Sequence, residues 1–338
     1  MNRIVSLVGI ALVMSMTATA CAVGERPTLT QDTIRPNTTL FESGAAAADT
    51  LQTPDLEPGN FPTPAELGGM PPVVISPTGV VLPVLGPANT GFMVRTPCGV
   101  DVELPFGQAV REVDVVLDAG HGGDELGAVG PSGQTEAELN LDVVRRAASL
   151  LEQQGVSVVL TRVADYRITI PMRAAIADQL GAKIMVSVHH NSPTPESTGE
   201  PGAEVYTQVG KPESRRLGGL IHEEVLKAFN AFDIQWARLE TAGVLDVIDS
   251  EGEDAYGITR RPGTPTVLAE LAYISNPAED TLLASVDYRQ AAATAIAGAA
   301  VRYLQSEDAG SGFIEEPRLL DLPATTGGVD GCVDPLLS

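Results

Sequence analysis

Three observations predict an α/β fold in which one domain holds a mostly parallel, twisted sheet with helices on both faces. Apolar runs rich in β-branched residues, such as Val113–Leu117, are typical of strands that are buried on both sides in a parallel sheet. Between residues 112 and 305 these runs alternate with amphipathic helical patterns, and repeated strand-helix-strand units build parallel sheets. The span is also about the size of one such domain.

The elements of this domain follow one another in a regular order. The first strand, Asp114–Leu117, leads to a helix in TEAELNLDVVRRAASLLEQQG, which Gly155 ends. The strand VSVVLTR, a helix after Pro171 and the strand AKIMVSVHHN come next. GAEVYT then precedes a helix from Ser214 to Phe229, and TPTVLAELAYISN precedes a closing helix from Tyr288 to Leu304.

The sequences on both sides of this domain differ from it in composition. Residues 21–72 are rich in Pro, Thr and Ala and cannot bury enough apolar surface to offset the entropy of ordering, so we expect a disordered, flexible spacer. Residues 73–111 contain short alternating runs interrupted by Pro and Gly, which predict a small β element packed on the domain. Residues 306–338 are predicted to be an acidic tail that matters mainly for Cys332.

Residues 1–20 have the pattern of a secretory signal peptide. Arg3 precedes an apolar run from Ile4 to Met16, and small residues come before Cys21. Two outcomes fit: cleavage after an A-x-A site, or a lipoprotein with lipid on Cys21, although Ala18 stands where a lipobox usually has Leu. No other apolar stretch is long enough to span a bilayer. We therefore expect an exported protein that is either soluble or attached to a membrane only through Cys21.

Charge and cysteine content narrow the partners and the compartment. The formal net charge of −23 argues against nucleic acid and against an anionic membrane surface, because both bind clustered Lys and Arg. Without Cys21 the chain has one pair of cysteines, Cys98 and Cys332, which flank the predicted domain. In an oxidising compartment such a pair can form a disulfide, and the alternative is two unpaired thiols.

Three candidate metal ligands occur at strand ends or at a helix start. His121 follows the first strand, His189 closes the strand AKIMVSVHHN, and Glu136 lies in the first turn of the helix between them, which Ser132 or Thr135 caps. Strand carboxyl ends and the helix starts that follow them meet at one edge of a parallel sheet, so these side chains can converge. Two histidines and a carboxylate are a common catalytic zinc set.

Each candidate also has a structural interpretation. His121 could be a polar turn residue among glycines, and Glu136 could serve a capping box or the helix dipole. His189 and His190 are adjacent in a strand, so they point to opposite faces and one of them is structural. His222, in a helix among glutamates, is expected to be solvated. The turn GHGGDELGAVG could cradle phosphate, but it lacks the P-loop Lys-Ser/Thr pair and the G-x-G-x-x-G spacing.

Glu270 is an acid within the apolar run TPTVLAELAYISN, toward its carboxyl end. Burying a carboxylate is costly unless it has a partner or a function. Glu270 is therefore a candidate general base beside a metal-activated water, and the alternative is a salt bridge to Arg162, Arg173 or Arg261.

Together these segments resemble the zinc-dependent N-acetylmuramoyl-L-alanine amidases of the amidase-3 type, which are bacterial cell-wall hydrolases. VVLDAGHGGDELGAVGPSGQTEAELNL is similar to the family's opening strand, glycine-histidine turn and glutamate-bearing helix. MVSVHHNS is similar to its Ser-x-His-x-Asn strand, and TVLAELAYISN to the segment with its catalytic glutamate. The match, from about Val113 to Leu304, implies one Zn²⁺ per chain on His121, Glu136 and His189, with Glu270 catalytic.

The resemblance also implies an activity, hydrolysis of the amide between the lactyl group of N-acetylmuramic acid and L-alanine of the stem peptide. Zn²⁺ would polarise the carbonyl, while Glu270 would take a proton from water and return it to the alanine nitrogen. Peptidoglycan is then the partner, with a monomer favoured and the periplasm, cell envelope or medium as the location. Two other functions stay open: a non-catalytic wall-binding or regulatory protein on this fold, and another exported zinc peptidase or deacetylase.

Two features depart from the family pattern. His190 replaces a usually small residue, which could alter the pocket or tune the metal. The segment 236–265, with the acidic sequence DSEGEDAYG, varies in relatives and could cover the cleft. Arg162 and Arg173 match a family stretch with two arginines, and no role is assigned to either.

Overall fold

The computed structural model describes residues 68–195, 199–321 and 329–338, so the predicted signal peptide, Cys21 and most of the predicted spacer lie outside it. The strands within these ranges are β1 (Val73–Ile75), β2 (Val81–Pro87), β3 (Phe92–Arg95), β4 (Asp101–Leu104), β5 (Gln108–Val110), β6 (Val115–Ala119), β7 (Val158–Leu160), β8 (Ile184–Asn191), β9 (Glu204–Thr207), β10 (Val244–Ile248), β11 (Thr266–Tyr273) and β12 (Arg318–Leu319). The helices are α1 (Glu136–Gln153), α2 (Ile170–Gln179), α3 (Pro212–Phe229), α4 (Gly257–Arg260), α5 (Pro277–Leu283) and α6 (Val286–Gln305). None of these helices is both long enough and apolar enough to cross a membrane.

Seven of the described strands form one mixed sheet in the order β12-β10-β9-β11-β8-β6-β7. Five of its six neighbouring pairs are parallel, and the pair β9 and β11 is antiparallel. The predicted mostly parallel α/β sheet is thus confirmed, with a reversal of direction in the middle. The carboxyl ends of β6, β7, β8 and β11 therefore share one edge with the amino ends of β9, β10 and β12.

Helices cover both faces of this sheet, as predicted. Helices α1, α3 and α6 pack on one face, where Val115 and Val186 join their apolar side chains in a core. Helices α2 and α4 pack on the other face with Val116 and Met185. Consecutive strand residues enter different cores because successive side chains of a strand point to opposite faces.

Helix α1 illustrates how the sequence sets an element that carries a site residue. The Thr135 side chain accepts a hydrogen bond from the Glu138 backbone N–H at 3.3 Å and caps the helix. Buried residues such as Leu139 and Leu151 form its apolar face, and burying a leucine side chain stabilises the fold by about 1.5–3 kcal/mol. The cap fixes Glu136 as the first helical residue, at the edge where the β6 strand ends.

Strands β1 to β5 form a second, antiparallel sheet in the order β4-β3-β2-β1-β5. It corresponds to the small β element expected at residues 73–111, and Val73 and Val81 join the core beneath α2. Packing begins earlier than predicted, because the Pro72 carbonyl accepts a hydrogen bond from the Val84 N–H at 2.8 Å. Met70 also packs against the buried residues of this sheet, so residues 70–72 belong with the sheet and not with the spacer.

The tail has a larger structural role than predicted. Strand β12 adds to the edge of the main sheet by pairing in parallel with β10. The Ile314 N–H donates to the Val244 carbonyl at 2.8 Å, and the Asp334 carboxylate accepts from the Cys98 N–H at 2.8 Å. The described parts of residues 306–338 thus contact both sheets.

Cys98 and Cys332 form a disulfide, which is one of the two outcomes that the cysteine count left open. Because this bridge closes a loop over a sequence separation of 234 residues, replacing both cysteines by serine is expected to lower the free energy of unfolding by about 2–5 kcal/mol. Denaturant unfolding of the double variant beside the wild type, both without reductant, measures the difference. Equal unfolding midpoints would contradict a stabilising role.

Candidate active site

His121 follows β6 in a strained backbone conformation. Its φ angle is +60°, in the left-handed region that non-glycine residues seldom adopt and that recurs at functional sites. Two buried arginines hold this turn: Arg173 Nη2 donates to the His121 carbonyl, and Arg162 Nη2 to the Gly120 carbonyl, both at 2.9 Å. The two arginines without an assigned role therefore fix the backbone on either side of the His121 side chain.

A buried carboxylate in turn orients Arg173. Asp118 Oδ1 lies 2.6 Å from Arg173 Nη1, and the hydroxyls of Thr161 and Ser187 also donate to Asp118. Burial opposes ionisation, but Arg173 and the two hydroxyls outweigh it and lower the pKa of Asp118. The sequence offered a signal for this residue, since Asp118 interrupts an apolar strand just as Glu270 does.

The fold brings His121, Glu136 and His189 together at one edge of the main sheet. One potential ligand atom from each lies within 4.8 Å of the other two. Glu136 Oε1 is 2.8 Å from His189 Nδ1, and Glu136 Oε2 is 3.2 Å from His121 Nε2. Two imidazoles and a carboxylate around one point are the donor set that zinc prefers in catalytic sites. The residues present therefore fit a zinc ion.

Two glycines leave room for these ligand side chains. A Cβ atom at Gly120 would overlap the His189 ring, and one at Gly127 would overlap His121 and Glu136. Gly127 also has a φ of +68°. The glycine-rich turn is therefore a close backbone approach around the three donors, and the phosphate interpretation finds no support in this geometry.

The Glu136 side chain does not cap its helix. Its Oε2 accepts from the Ala128 N–H at 2.9 Å and its Oε1 from the His190 N–H at 3.2 Å, so the carboxylate is fixed toward the two histidines. Burial would raise the pKa of Glu136, but hydrogen bonds to His121 and His189 outweigh burial and hold it well below the usual range. An ionised carboxylate is the form that a metal ligand requires.

His190 points away from this cluster. Its Nδ1 lies 2.8 Å from Asn140 Oδ1 on α1, and its Nε2 lies 3.0 Å from the Tyr288 hydroxyl on α6. Burial lowers the pKa of His190 to about 3, so the ring is neutral. The His190 side chain therefore joins two helices from behind the three potential metal ligands.

Replacing His190 by Ala is expected to destabilise the fold by about 2–4 kcal/mol, because it leaves the buried Asn140 and Tyr288 groups without their partner. Zinc content of the folded variant is expected to match the wild type, since the His190 side chain is not among the three donors. Denaturant unfolding and metal analysis measure the two effects. A folded variant without zinc would show that His190 acts on the metal instead.

His222, expected to be solvated, is buried in α3 and packs closely against Gly312 of the C-terminal segment. Burial lowers its pKa to about 4. The prediction was wrong because the neighbouring glutamates of the helix suggested exposure, while the covering residue is distant in sequence. His222 is not part of the ligand cluster.

Glu270 lies on β11 directly beside His189 of β8 in the strand register. It lines the cavity, and among the described residues its Oε2 atom is buried without a hydrogen-bond partner. Burial, together with the charges of Glu136 and Glu204, raises the pKa of Glu270 well above the usual range. The salt-bridge alternative is not observed, because Arg162 and Arg173 are engaged elsewhere and no ion pair joins Arg261 to Glu270 in the described residues.

The ligand cluster opens into a cavity of about 900 Å³. Asp249, Ser250 and Glu251 from the acidic loop also line this cavity, as do Arg260 and Arg261 further along the chain. Asp249 Oδ1 accepts from the N–H groups of Glu251 and Glu253 at 2.9 and 3.0 Å, which folds the loop into a tight turn. The varied segment 236–265 thus forms part of the cleft wall.

A second carboxylate beside Glu270 was missed by the sequence reasoning. Glu204 opens β9, is fully buried and stands opposite Glu270 in the antiparallel pair β9 and β11. Glu204 could have been noticed as an acid in the apolar run GAEVYT. Its position next to Glu270 could not have been predicted, because the sequence does not show in which direction β9 runs.

Comparison with known proteins places this chain among cell-wall amidases. Residues 115–302 match the amidase-3 family model, described as N-acetylmuramoyl-L-alanine amidase. The uncharacterized protein YqiI of Bacillus subtilis is 34% identical over 205 residues, which cover 59% of this chain and 90% of YqiI. The N-acetylmuramoyl-L-alanine amidase AmiC of Neisseria meningitidis is 28% identical over 227 residues, covering 59% of this chain and 55% of AmiC.

A solved structure agrees at the level of the fold. The crystal structure of an N-acetylmuramoyl-L-alanine amidase from Clostridium difficile 630 has a TM-score of 0.50 and 23% identity, and the match covers 58% of this chain and 98% of that one. The family match covers more than half of the present sequence. The chain therefore belongs to the amidase-3 family of zinc-dependent N-acetylmuramoyl-L-alanine amidases.

Proposed function

We propose that this amidase is an exported cell-wall hydrolase that cleaves the amide between the lactyl group of N-acetylmuramic acid and L-alanine of the stem peptide. The observation that carries the proposal is the convergence of His121, Glu136 and His189 beside Glu270, a partly buried acid whose Oε2 atom has no hydrogen-bond partner among the described residues. Membership in the family and the activity named for AmiC of Neisseria meningitidis support the same reaction.

In this proposal His121, Glu136 and His189 hold one Zn²⁺. When bound, zinc supplies Lewis acidity, which polarises an amide carbonyl and lowers the pKa of water. Glu136 brings a negative charge and the two histidines bring neutral nitrogens, so the site keeps a net positive charge with the metal in place. The arginines beneath the His121 turn keep that ligand rigid while substrate binds and leaves.

Glu270 moves the proton. Glu270 lines the cavity beside the three donors, so its carboxylate is placed to accept a proton from the attacking water as the new C–O bond forms. A raised pKa lets the carboxyl group hold that proton until the C–N bond breaks, and it then protonates the departing alanine nitrogen. The products are a free lactyl carboxylate and a stem peptide with a free L-alanine amine.

We assign catalysis to residues 112–305, because the family match at 115–302 falls within them. The small sheet at residues 73–110 and the described parts of the tail pack against this segment. We therefore propose one functional unit and not a catalytic domain with a separable targeting module.

Export is part of the proposal because the substrate lies outside the cytoplasm. The Cys98–Cys332 disulfide supports an oxidising compartment. We propose that residues 1–20 are removed and that Cys21 either begins a soluble chain or carries a lipid. The intact mass of the mature protein distinguishes these forms, since a lipidated Cys21 adds the mass of its acyl chains.

The test is digestion of purified peptidoglycan by the mature protein, followed by mass spectrometry of the released material. The proposal predicts stem peptides with a free L-alanine amino terminus, together with glycan that keeps its lactyl carboxylate. Release of acetate would indicate a deacetylase, and release of single amino acids would indicate a peptidase. Binding to peptidoglycan without release of any product would indicate a non-catalytic wall-binding protein.

A further inference from the structure

Glu204 is a fully buried carboxylate next to the proposed base. It pairs with Glu270 across β9 and β11, and side chains of directly opposed strand residues lie on the same face of a sheet. A second carboxylate at this position is costly unless a cation compensates its charge, because the site is buried. A cation beside Glu204 would offset this cost.

Arg318 supplies that charge. Arg318 Nη2 donates to Glu204 Oε1, and Arg318 Nη1 donates to the Tyr206 hydroxyl at 3.2 Å. Glu204 Oε2 accepts from Asn191 Nδ2 at 2.9 Å, from the Tyr206 hydroxyl at 3.1 Å and from the Tyr273 hydroxyl at 3.0 Å. Among the described residues, Arg318 is the cation that forms an ion pair with this carboxylate.

Arg318 reaches the site from the C-terminal segment. It belongs to β12, whose register places Arg318 beside Val247 of β10, and it lies outside the family match at residues 115–302. A residue outside the family match therefore completes a charge network that begins on the strands within that match and ends at the cavity wall.

The network reaches the reacting groups through Asn191. Asn191 lines the cavity two residues after the ligand His189, and it pairs with Tyr273 in the register of β8 and β11. Its Nδ2 donates to Glu204, so the position of the Glu204 carboxylate sets the orientation of the Asn191 amide. An uncompensated charge at Glu204 would disturb this wall next to both His189 and Glu270.

We propose that Arg318 is a positioning residue for the hydrolytic reaction, which acts by compensating the buried charge of Glu204 and so keeps Asn191 and Glu270 in place. The inference rests on the proposed amidase function. The competing interpretation is that Arg318 only attaches β12 to the main sheet, in which case the charge of Glu204 has no separate effect.

A double-mutant cycle with Arg318→Met and Glu204→Gln separates the two interpretations. For each variant, kcat and KM are measured on purified peptidoglycan, together with the zinc content and the midpoint of unfolding. Charge compensation predicts that Arg318→Met alone lowers kcat by about tenfold or more, because it leaves an unpaired buried charge. Glu204→Gln alone and the double variant are expected to lose no more than about threefold, since neither contains an unpaired carboxylate at this fully buried position and the Arg318 side chain left alone in Glu204→Gln is partly exposed. Arg318→Lys, which keeps the positive charge, is expected to restore most of the activity.

If Arg318 only attaches the tail, then Arg318→Met, Glu204→Gln and the double variant all lack the same ion pair. They would then show the same decrease in kcat, which would overturn the proposal. Arg318→Met with wild-type kcat would overturn it as well. If Arg318→Met does not fold, recovery of the fold in the double variant supports the proposal, and a double variant that also fails to fold contradicts it. An inactive wild-type protein would instead refute the proposed function, so the two failures are distinct.

Discussion

Glu270→Gln is expected to lower kcat on peptidoglycan by about 10²–10⁴-fold, the usual contribution of a general acid-base group. The amide of Gln has nearly the same shape as the carboxyl group, but it cannot accept a proton from water. The substitution also removes a carboxyl group whose charged form is disfavoured by burial, so the fold is expected to be at least as stable as the wild type. Zinc content is expected to stay at the wild-type level, because Glu270 is not one of the three donor residues.

Glu138→Gln is the matched control for this substitution. Glu138 is an exposed acid on α1, two residues after Glu136, and the change is chemically the same. Metal analysis and initial rates on the same peptidoglycan preparation compare the three proteins. Wild-type turnover in Glu270→Gln would exclude Glu270 as the proton carrier, while a loss of zinc from it would make Glu270 part of the metal site.

His189→Ala is expected to lose both zinc and activity. It removes one of three donors, and a site with two remaining protein donors binds zinc poorly. Removing a residue that only hydrogen-bonds to a metal ligand already lowers metal affinity by about 10–100-fold. Removing the ligand itself is therefore expected to lower zinc affinity by more than about 100-fold. Zinc affinity by competition with a chelator, measured beside turnover, tests this directly.

The neighbouring histidine supplies the control for His189. His190→Ala removes the same ring from the adjacent residue of β8, and it is expected to reduce stability while zinc stays bound. Opposite results for the two variants would follow from the alternation of side chains along a strand. Equal loss of zinc in both, in folded proteins, would mean that the ligand assignment at this strand end is incorrect.

Much of the fold could be predicted from periodicity because the main elements are long and strongly patterned. The α1 helix shows the apolar spacing and the Thr135 cap in sequence, and β6, β8 and β11 are mainly apolar runs with few polar residues. Strand β12 could not be predicted, because its two residues, Arg318 and Leu319, carry no period, and pairing with β10 is a long-range contact.

The candidate site, like the fold, could be predicted from the sequence only in part. Residue types at strand ends and at a helix start indicated His121, Glu136, His189 and Glu270, since a parallel sheet brings such positions to one edge. The left-handed backbone at His121 was not predictable, because it depends on hydrogen bonds from distant arginines. The proximity of Glu204 to Glu270 was equally hidden, since it follows from the antiparallel direction of β9, which local sequence does not specify.

The most direct test of the zinc amidase account is a zinc titration of metal-free protein, read out as new L-alanine amino termini released from purified peptidoglycan. The account predicts no release without metal and a rate that rises in proportion to bound zinc until one ion per chain is bound. It also predicts no release by His189→Ala under the same zinc additions. Full release by the metal-free wild type, or by His189→Ala, would contradict the account.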